Sequence, residues 1–382
     1  MKQLFANKQI MIAAVVAGAF AAPAMADVTI YGFVSAGVES VKATGNGDSS
    51  KDYKSRTRVS DENSRIGFKG NEDLGNGLKA IWQVESSLKN FEQGGTNDKG
   101  ETATFATRNS FVGLENASFG KVLLGQNDTA YKALTDIGIN AMANTTADTQ
   151  GATAIFSRGE TRLKNSVHYF SPKMAGFELG ASYGVDETRP IGTVDGTRQN
   201  NDRLSLAGKY TWDALTVAVG YDRQGNKLNS TGTTEDLNKT QFYKLAASYM
   251  FPTGTMIGAG IEQGRFDYVS ANDTKQTDWT VALSQSFGAA TVKLSYSELG
   301  ALKNAAGNED DYKAKQWVLG ATYDLSKRTQ LLAYATKITN NSKAAVNLQN
   351  NPVYSEGLGT SGAKLTAGND PQAFGIGMKH SF

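Results

Sequence analysis

The 382 residues are 40% hydrophobic and 20% charged, include no cysteine, and carry a formal charge of +2 that Lys2 and Lys8 account for. Beyond the opening segment no apolar run approaches the roughly 18 residues a membrane-spanning helix requires, so a helical membrane protein is excluded. The near-neutral remainder offers no nucleic-acid surface, and the lack of thiols excludes disulfides and thiolate metal centres.

Residues 1–26 read as a secretory signal. Lys2 and Lys8 give a basic start, residues 10–20 are apolar and uncharged, and Pro23-Ala24-Met25-Ala26 is a small-residue cleavage site. The mature chain is expected to begin at Asp27 and to form a single domain, 27–382.

From there the pattern has period two. Val28, Ile30, Val34, Ala36 and Val38 alternate with Thr29, Tyr31, Ser35 and Glu39, which predicts a first strand over 27–41 with an apolar outer and a polar inner face. A polar stretch, 42–58, precedes a strand in which Ile66 and Phe68 point out and Arg65 and Lys69 point in. Residues 71–77 make a tight turn, and the chain returns with Leu78, Ala80, Trp82 and Val84 outward and Lys79, Gln83 and Glu85 toward water.

The unit of strand, short Gly-rich turn, strand and long polar loop repeats over 104–126, 162–185, 203–221, 241–267, 277–297 and 315–339, and a last strand covers 371–382. Opening strand, seven hairpins and closing strand make about sixteen strands. That is the signature of an all-β, 16-stranded antiparallel transmembrane β-barrel with long extracellular loops and short periplasmic turns. A barrel of about 16 strands is too wide to fill with its own side chains, so size argues for an aqueous bore. The long loops are 42–58, 91–103, 128–161, 186–200, 224–239, 300–311 and 340–370. Aromatic residues near strand ends, among them Tyr31, Trp82, Tyr183, Tyr249, Trp279, Trp317 and Tyr323, suit interfacial girdles.

Catalysis has little support, since the only histidines are His168 and His380. His380 falls on the outward face of the last strand, and His168 reads as a lumen-facing polar residue rather than the base of a hydrolase. The acidic run Glu309-Asp310-Asp311 reads as a solvated loop, and no metal, cofactor or catalytic site is assigned.

The constellation with chemical content is basic. Arg65, Arg108 and Arg162 each open a descending strand on the inward register, near mid-height at about 3.3 Å per residue. Lys69, Lys164, Lys209, Lys244 and Lys293 share that register. They either form a positive wall at the narrowest level or merely keep the interior wet. The loop at about 128–161, with Asp128, Asp136, Asp148 and Glu160 among small residues, is expected to fold into the lumen opposite that wall; an external loop is the alternative.

Several segments together resemble the general diffusion porins of Gram-negative bacteria, of the neisserial and betaproteobacterial type. They are Val28-Thr29-Ile30-Tyr31-Gly32, the run from Ser64 to Ala80, Arg108 to Leu114, Asn165 to Tyr169 with Ser171-Pro172, Tyr323 to Thr329, and the terminal His380-Ser381-Phe382. The resemblance implies an outer-membrane homotrimer of 16-stranded barrels, with the third loop folded in as a constriction. It further implies surroundings of outer-membrane lipid and lipopolysaccharide, and Phe382 as the signal read by the outer-membrane assembly machinery. By motif position Arg65, Arg108 and Arg162 match the family's basic ladder. Gln126 departs from a position where the family often has arginine, and the Pro-Glu-Phe-Gly-Gly motif of some relatives' third loops is absent.

The reading is therefore a water-filled, mildly anion-selective channel for passive diffusion of ions and small hydrophilic solutes. A barrel devoted to surface adhesion, with little conductance, is the competing class, and an outer-membrane hydrolase the third.

Overall fold

The computed structural model describes residues 28–88, 105–185, 201–225, 237–269, 271–355 and 364–382. The signal segment 1–26, the loops 91–103 and 186–200 and most of 224–239 lie outside the described residues. The strands are β1 (Thr29–Thr44), β2 (Tyr53–Asp61), β3 (Arg65–Gly75), β4 (Leu78–Ser87), β5 (Ser110–Asn116), β6 (Gly120–Asp128), β7 (Arg162–Phe170), β8 (Phe177–Val185) and β9 (Asp202–Trp212). They continue as β10 (Leu215–Gly225), β11 (Leu237–Met250), β12 (Thr255–Tyr268), β13 (Thr274–Phe287), β14 (Ala290–Leu299), β15 (Ala314–Asp324), β16 (Thr329–Asn340) and β17 (Asp370–Ser381). One short helix, α1 (Ala130–Thr135), opens the third loop.

Apart from β2 and β3, consecutive strands pair antiparallel, and β17 pairs with β1 to close the sheet. β2 and β3 both pair with β1, one above the other, so these two segments are the halves of a single stave and the barrel has sixteen. At the seam the Phe382 amide donates to the Gly32 carbonyl at 3.1 Å and the Gly32 amide returns a bond to the Phe382 carbonyl at 3.2 Å. Closure leaves no edge strand, which a wall standing in hydrocarbon requires.

The alternation sorts side chains as a membrane demands. Val34, Val38, Leu245, Ile257, Ile261, Leu283, Leu319, Phe374, Ile376 and Met378 are exposed on the outside, while Ser35, Glu39, Ser182, Ser205, Glu262, Asp278 and Gln316 are buried on the inside. Trp279, Tyr296 and Trp317 stand in a row across β13 to β15 near the loop rim, with ring centroids 5.2 and 4.4 Å apart. Phe177 with Tyr210 and Tyr249 with Phe251 stand near the turn rim. These are the two interfacial girdles.

Several boundaries differ from the sequence expectation: β5 begins only at Ser110, so Arg108 precedes its strand rather than opening it, and β11 and β13 begin earlier than expected, at Leu237 and Thr274. The first hairpin turn is only Asn76-Gly77, both at positive φ (54° and 74°), so β3 and β4 run through the segment read as a longer turn. Such a two-residue turn matches the twist of the strands it joins, and Asn-Gly tolerates its left-handed backbone. The first outer loop is 45–52 rather than 42–58, because β1 extends to Thr44 and β2 begins at Tyr53. β2 shows almost no apolar alternation, with Val59 its only aliphatic residue, and is held by ladder bonds to β1.

The apolar core of the described residues lies inside the barrel. Ala141, Met142, Ala147 and Ile155 of the third loop and Leu348, Val353 and Leu365 of the last loop pack against Val41, Val318, Leu332, Tyr334 and Ile338 of the wall. A second cluster joins α1 residues Ala130 and Leu134 to Leu123, Phe170 and Ala207, and a third joins Ile139 and Phe156 to Ala246 and Ala282.

Candidate functional site

The third loop, residues 129–161, is bonded to the inner wall along its length. Its helix begins with exposed amide donors, as every helix does. Thr129 caps one, while Ser182 of β8 and Ser205 of β9 accept from the amides of Ala130 and Tyr131 at 2.8 and 2.9 Å. The Tyr131 hydroxyl donates to the buried carboxylate of Glu262 on β12, which also accepts the Arg158 amide at 2.7 Å and the Gly159 amide at 3.5 Å. Lys244 reaches Ser157 at 2.6 Å and Arg203 reaches the Gly159 carbonyl at 2.8 Å. On the other side the Thr146 amide donates to Glu62 at 2.8 Å.

Where the loop's large side chains meet the wall, the wall has glycine. Tyr131 lies on Gly220, Ile139 and Phe156 on Gly258 and Gly260, and Met142 on Gly320. A β-carbon at Gly260 would stand 2.5 Å from the Phe156 ring, and one at Gly220 would stand 2.7 Å from Tyr131. These glycines are seats, open to the loop because they have no side chain.

Beside the loop lies a cavity of about 690 Å³, and Arg65, Arg108 and Arg162 all line it. So do Asp128, Asp136, Asp148 and Glu160, together with Lys132. The three arginines are not equivalent. Arg108 is ion-paired with Glu85 of β4, and also donates to Asn63 at 3.3 Å. Arg162 stands 3.0 Å from Asp128, an ion pair without hydrogen-bond alignment, and donates to Asn109 at 2.7 Å. Arg65 donates to the neutral amide oxygen of Asn144 at 2.6 Å and lies over the Phe33 ring at 4.6 Å.

The other sequence-derived candidates are placed differently. Asp148 accepts from Asn140 and from the amides of Asn144 and Gln150, so its carboxylate is used within the loop. Asp136 is exposed at the cavity edge, whereas Lys69 lies over Tyr31 at 5.1 Å and does not line the cavity. Lys164 does not line it either. With Asn165, at φ 48°, it sits in a bulge where two residues of β7 oppose Gln126 alone, and there the strict alternation fails. His168 is buried between Ser166 and Ser182, at 2.7 and 2.8 Å, a satisfied wall residue. Glu309, Asp310 and Asp311 each face a lysine, respectively Lys303, Lys313 and Lys343.

Sequence reasoning missed the contribution of the last loop. Gln349 and Asn350 line the same cavity, and Asn350 donates to the Thr145 carbonyl at 3.0 Å. Asn351 bonds both the Asp61 carbonyl and Thr146, tying last loop, wall and third loop together. Its many asparagines were the available signal, since an Asn side chain can satisfy two backbones at once.

Glu160 is buried in the third loop, and desolvation, opposed by Lys132 and Lys244, pushes its carboxyl up to about 7. It is thus neutral below about pH 7 and anionic above. The ratio of anion to cation permeability should fall as pH rises from about 6 to 8, as the cavity gains this negative charge. Reversal potentials measured across that range check it, and Glu160→Gln should flatten the change.

A closed barrel of sixteen antiparallel staves, apolar outside, polar inside and with charged loops bonded to its inner wall, defines a transmembrane channel of the outer membrane. This chain belongs to the Gram-negative porin family, which matches residues 13–343. It is 30% identical over 365 residues to the major outer membrane protein P.IB of Neisseria meningitidis serogroup B, covering 94% of this chain and 95% of that protein. It is similar to a solved anion-selective porin from Comamonas acidovorans, with a TM-score of 0.71, 26% identity, and coverage of 94% of this chain and 100% of that one. OmpT of Vibrio cholerae in its trimer form shares the fold, with a TM-score of 0.61 at 16% identity over 94% of this chain and 99% of that one. The protein is an outer-membrane porin, a passive diffusion channel.

Proposed function

We propose that the channel favours anions mildly, and that the third loop is its constriction, with Arg65, Arg108 and Arg162 facing the loop's acids across the narrowest level. The observation that carries this reading is the unequal pairing of the three guanidiniums. Arg108 and Arg162 have carboxylate partners, Arg65 has neutral ones, and on the loop Asp148 is bound up by its own amides. The four cations and four acids that line the cavity balance in number, so the surplus of positive field is local to Arg65, which has no carboxylate partner. An isolated charge pair at about 4 Å in a water-like medium is worth only ~1 kcal/mol, so such a surplus biases ion flow without stopping cations. The anion selectivity named for the Comamonas protein supports the same sign.

Reversal potentials across a planar bilayer under a salt gradient test the reading. The native channel should pass anions preferentially, more so at low salt, because screening acts over roughly 10 Å at 0.1 M. Joint replacement of Arg65, Arg108 and Arg162 by Gln should carry the permeability ratio to the cation side. Cation selectivity in the native protein, unchanged by the triple replacement, would sink the assignment.

The remaining parts of the reading concern assembly. A cleaved signal at 1–26, a homotrimer in contact with outer-membrane lipid and lipopolysaccharide, and recognition of the strand ending in Phe382 by the outer-membrane assembly machinery fit a chain of this family. The seam bonds of Phe382 to Gly32 give that residue a structural role as well.

A further inference from the structure

We propose that Arg65, Lys379 and the ring of Phe33 form a binding subsite for a small oxyanion, a carboxylate or phosphate carried by a permeating solute. The proposal rests on the anion-passing reading and adds a discrete station to it.

Phe33 belongs to β1 and is flanked by the two strands that pair with it, β3 carrying Arg65 and β17 carrying Lys379. The Arg65 guanidinium carbon lies 4.6 Å and the Lys379 ammonium 4.2 Å from the ring centroid, so the cations are no farther apart than those two distances together. Two like charges gathered on one ring repel each other, and a π face offsets only part of that.

Among the described residues neither cation has an ion-paired acid. Arg65 bonds only neutral oxygens, of Asn144 and Asn63, and among the described residues no carboxylate comes within ion-pair distance of Lys379. That sets the pair apart from four other arginines of the wall. Arg58, Arg108, Arg162 and Arg203 hold Glu39, Glu85, Asp128 and Asp222. The acids nearest Arg65, Glu85 and Asp128, are therefore already engaged, and the other charge facing Lys379 is the cation Lys293.

Both side chains are only partly buried, and Arg65 opens onto the cavity, so a solute can reach them. A planar fork beside a mobile point charge suits an oxyanion, which offers two or three acceptor oxygens to the ammonium donors and to the guanidinium N–H groups not already bonded to Asn63 and Asn144. Chloride, with a single diffuse charge and no directional acceptors, gains less there.

Single-channel conductance of the purified full-length protein, recorded against rising concentrations of potassium chloride, acetate and phosphate, tests the subsite. Chloride conductance should rise almost linearly, while acetate or phosphate conductance saturates and the oxyanion reduces chloride current. Saturation with one oxyanion and not the other identifies the source; either supports the subsite. Lys379→Gln, and separately Arg65→Gln, should raise the half-saturating concentration about tenfold or more, as expected for one lost charge-assisted contact of ~1.5 kcal/mol. Lys303→Gln on an outer loop should leave it unchanged. Linear conductance for both oxyanions in a native channel that is still anion-selective overturns the subsite alone. Saturation that survives both replacements also overturns it. A native channel without anion preference overturns the reading beneath it.

Discussion

Replacing Glu262 with Ala is expected to loosen the third loop and turn a quiet channel into a noisy, more conductive one. The carboxylate is buried on the wall and accepts from the Tyr131 hydroxyl and from two loop amides. Removing it leaves those donors without a partner, at about 1–3 kcal/mol each. Several kcal/mol taken from the loop's docking multiplies the population of detached states by roughly a hundredfold or more. The sheet loses no ladder bond, so the barrel should still fold. Gly260→Leu approaches the same result by another route, since its new β-carbon would stand 2.5 Å from the Phe156 ring while every hydrogen bond stays available. Single-channel traces decide the matter. Raised mean conductance and open-channel noise in both variants is the expected outcome, and traces like the native protein's in both would show that the loop is not held at these points.

Arg58→Ala is expected to cause a large loss of stability. Glu39 is fully enclosed and Arg58 lies 2.7 Å from it, while the other guanidinium nitrogens donate to the carbonyls of Pro352 and Asn351 at 3.0 and 2.5 Å. Removing one partner of a buried ion pair costs ~3–5 kcal/mol, because the other charge remains without compensation. Tyr334 cannot repair the loss. Its single hydroxyl proton is already shared between Glu39 and Glu62, each at 2.8 Å. Thermal unfolding of the detergent-solubilised protein should show a markedly lower midpoint, and Arg58→Ala with Glu39→Gln should recover much of it. An unchanged midpoint in the single variant would refute this account of the node.

The sheet was legible because hydrocarbon on one side and water on the other impose period two. Wherever β-strands obey that rule, as in Phe374, Ile376 and Met378 against Gly375, Gly377 and Lys379, the facing of each residue can be read directly. It fails where another force holds the backbone. β2 has polar side chains on both faces, and the break at Glu62 to Ser64 shifts the phase between β2 and β3, so neither end of the first loop could be read. The bulge at Lys164 and Asn165 is a local failure of the same kind.

The site was legible to the level of single strands and no further. Inward parity placed Glu85 toward water and Arg108 toward the lumen, but their ion pair depends on a cross-strand register that one sequence does not display. The last loop was harder still. Residues such as Asn350 and Asn351 look like solvent-facing polar residues, and only their tertiary partners, the Thr145 and Asp61 carbonyls, reveal that they tie the last loop to the third loop and the wall.

The bare places on the far wall bear on how a channel of this design changes its size limit for solutes. The loop lies as deep as Gly220, Gly258, Gly260 and Gly320 allow, because each leaves room for a ring or thioether that an ordinary residue would push back into the passage. On the proposed reading of the third loop as the constriction, the diameter open to a solute is governed in part by methyl groups that are missing from positions the solute never touches. A lineage could widen or narrow the range of nutrients it admits by altering that hidden surface, while every charge met by the traveller stays the same.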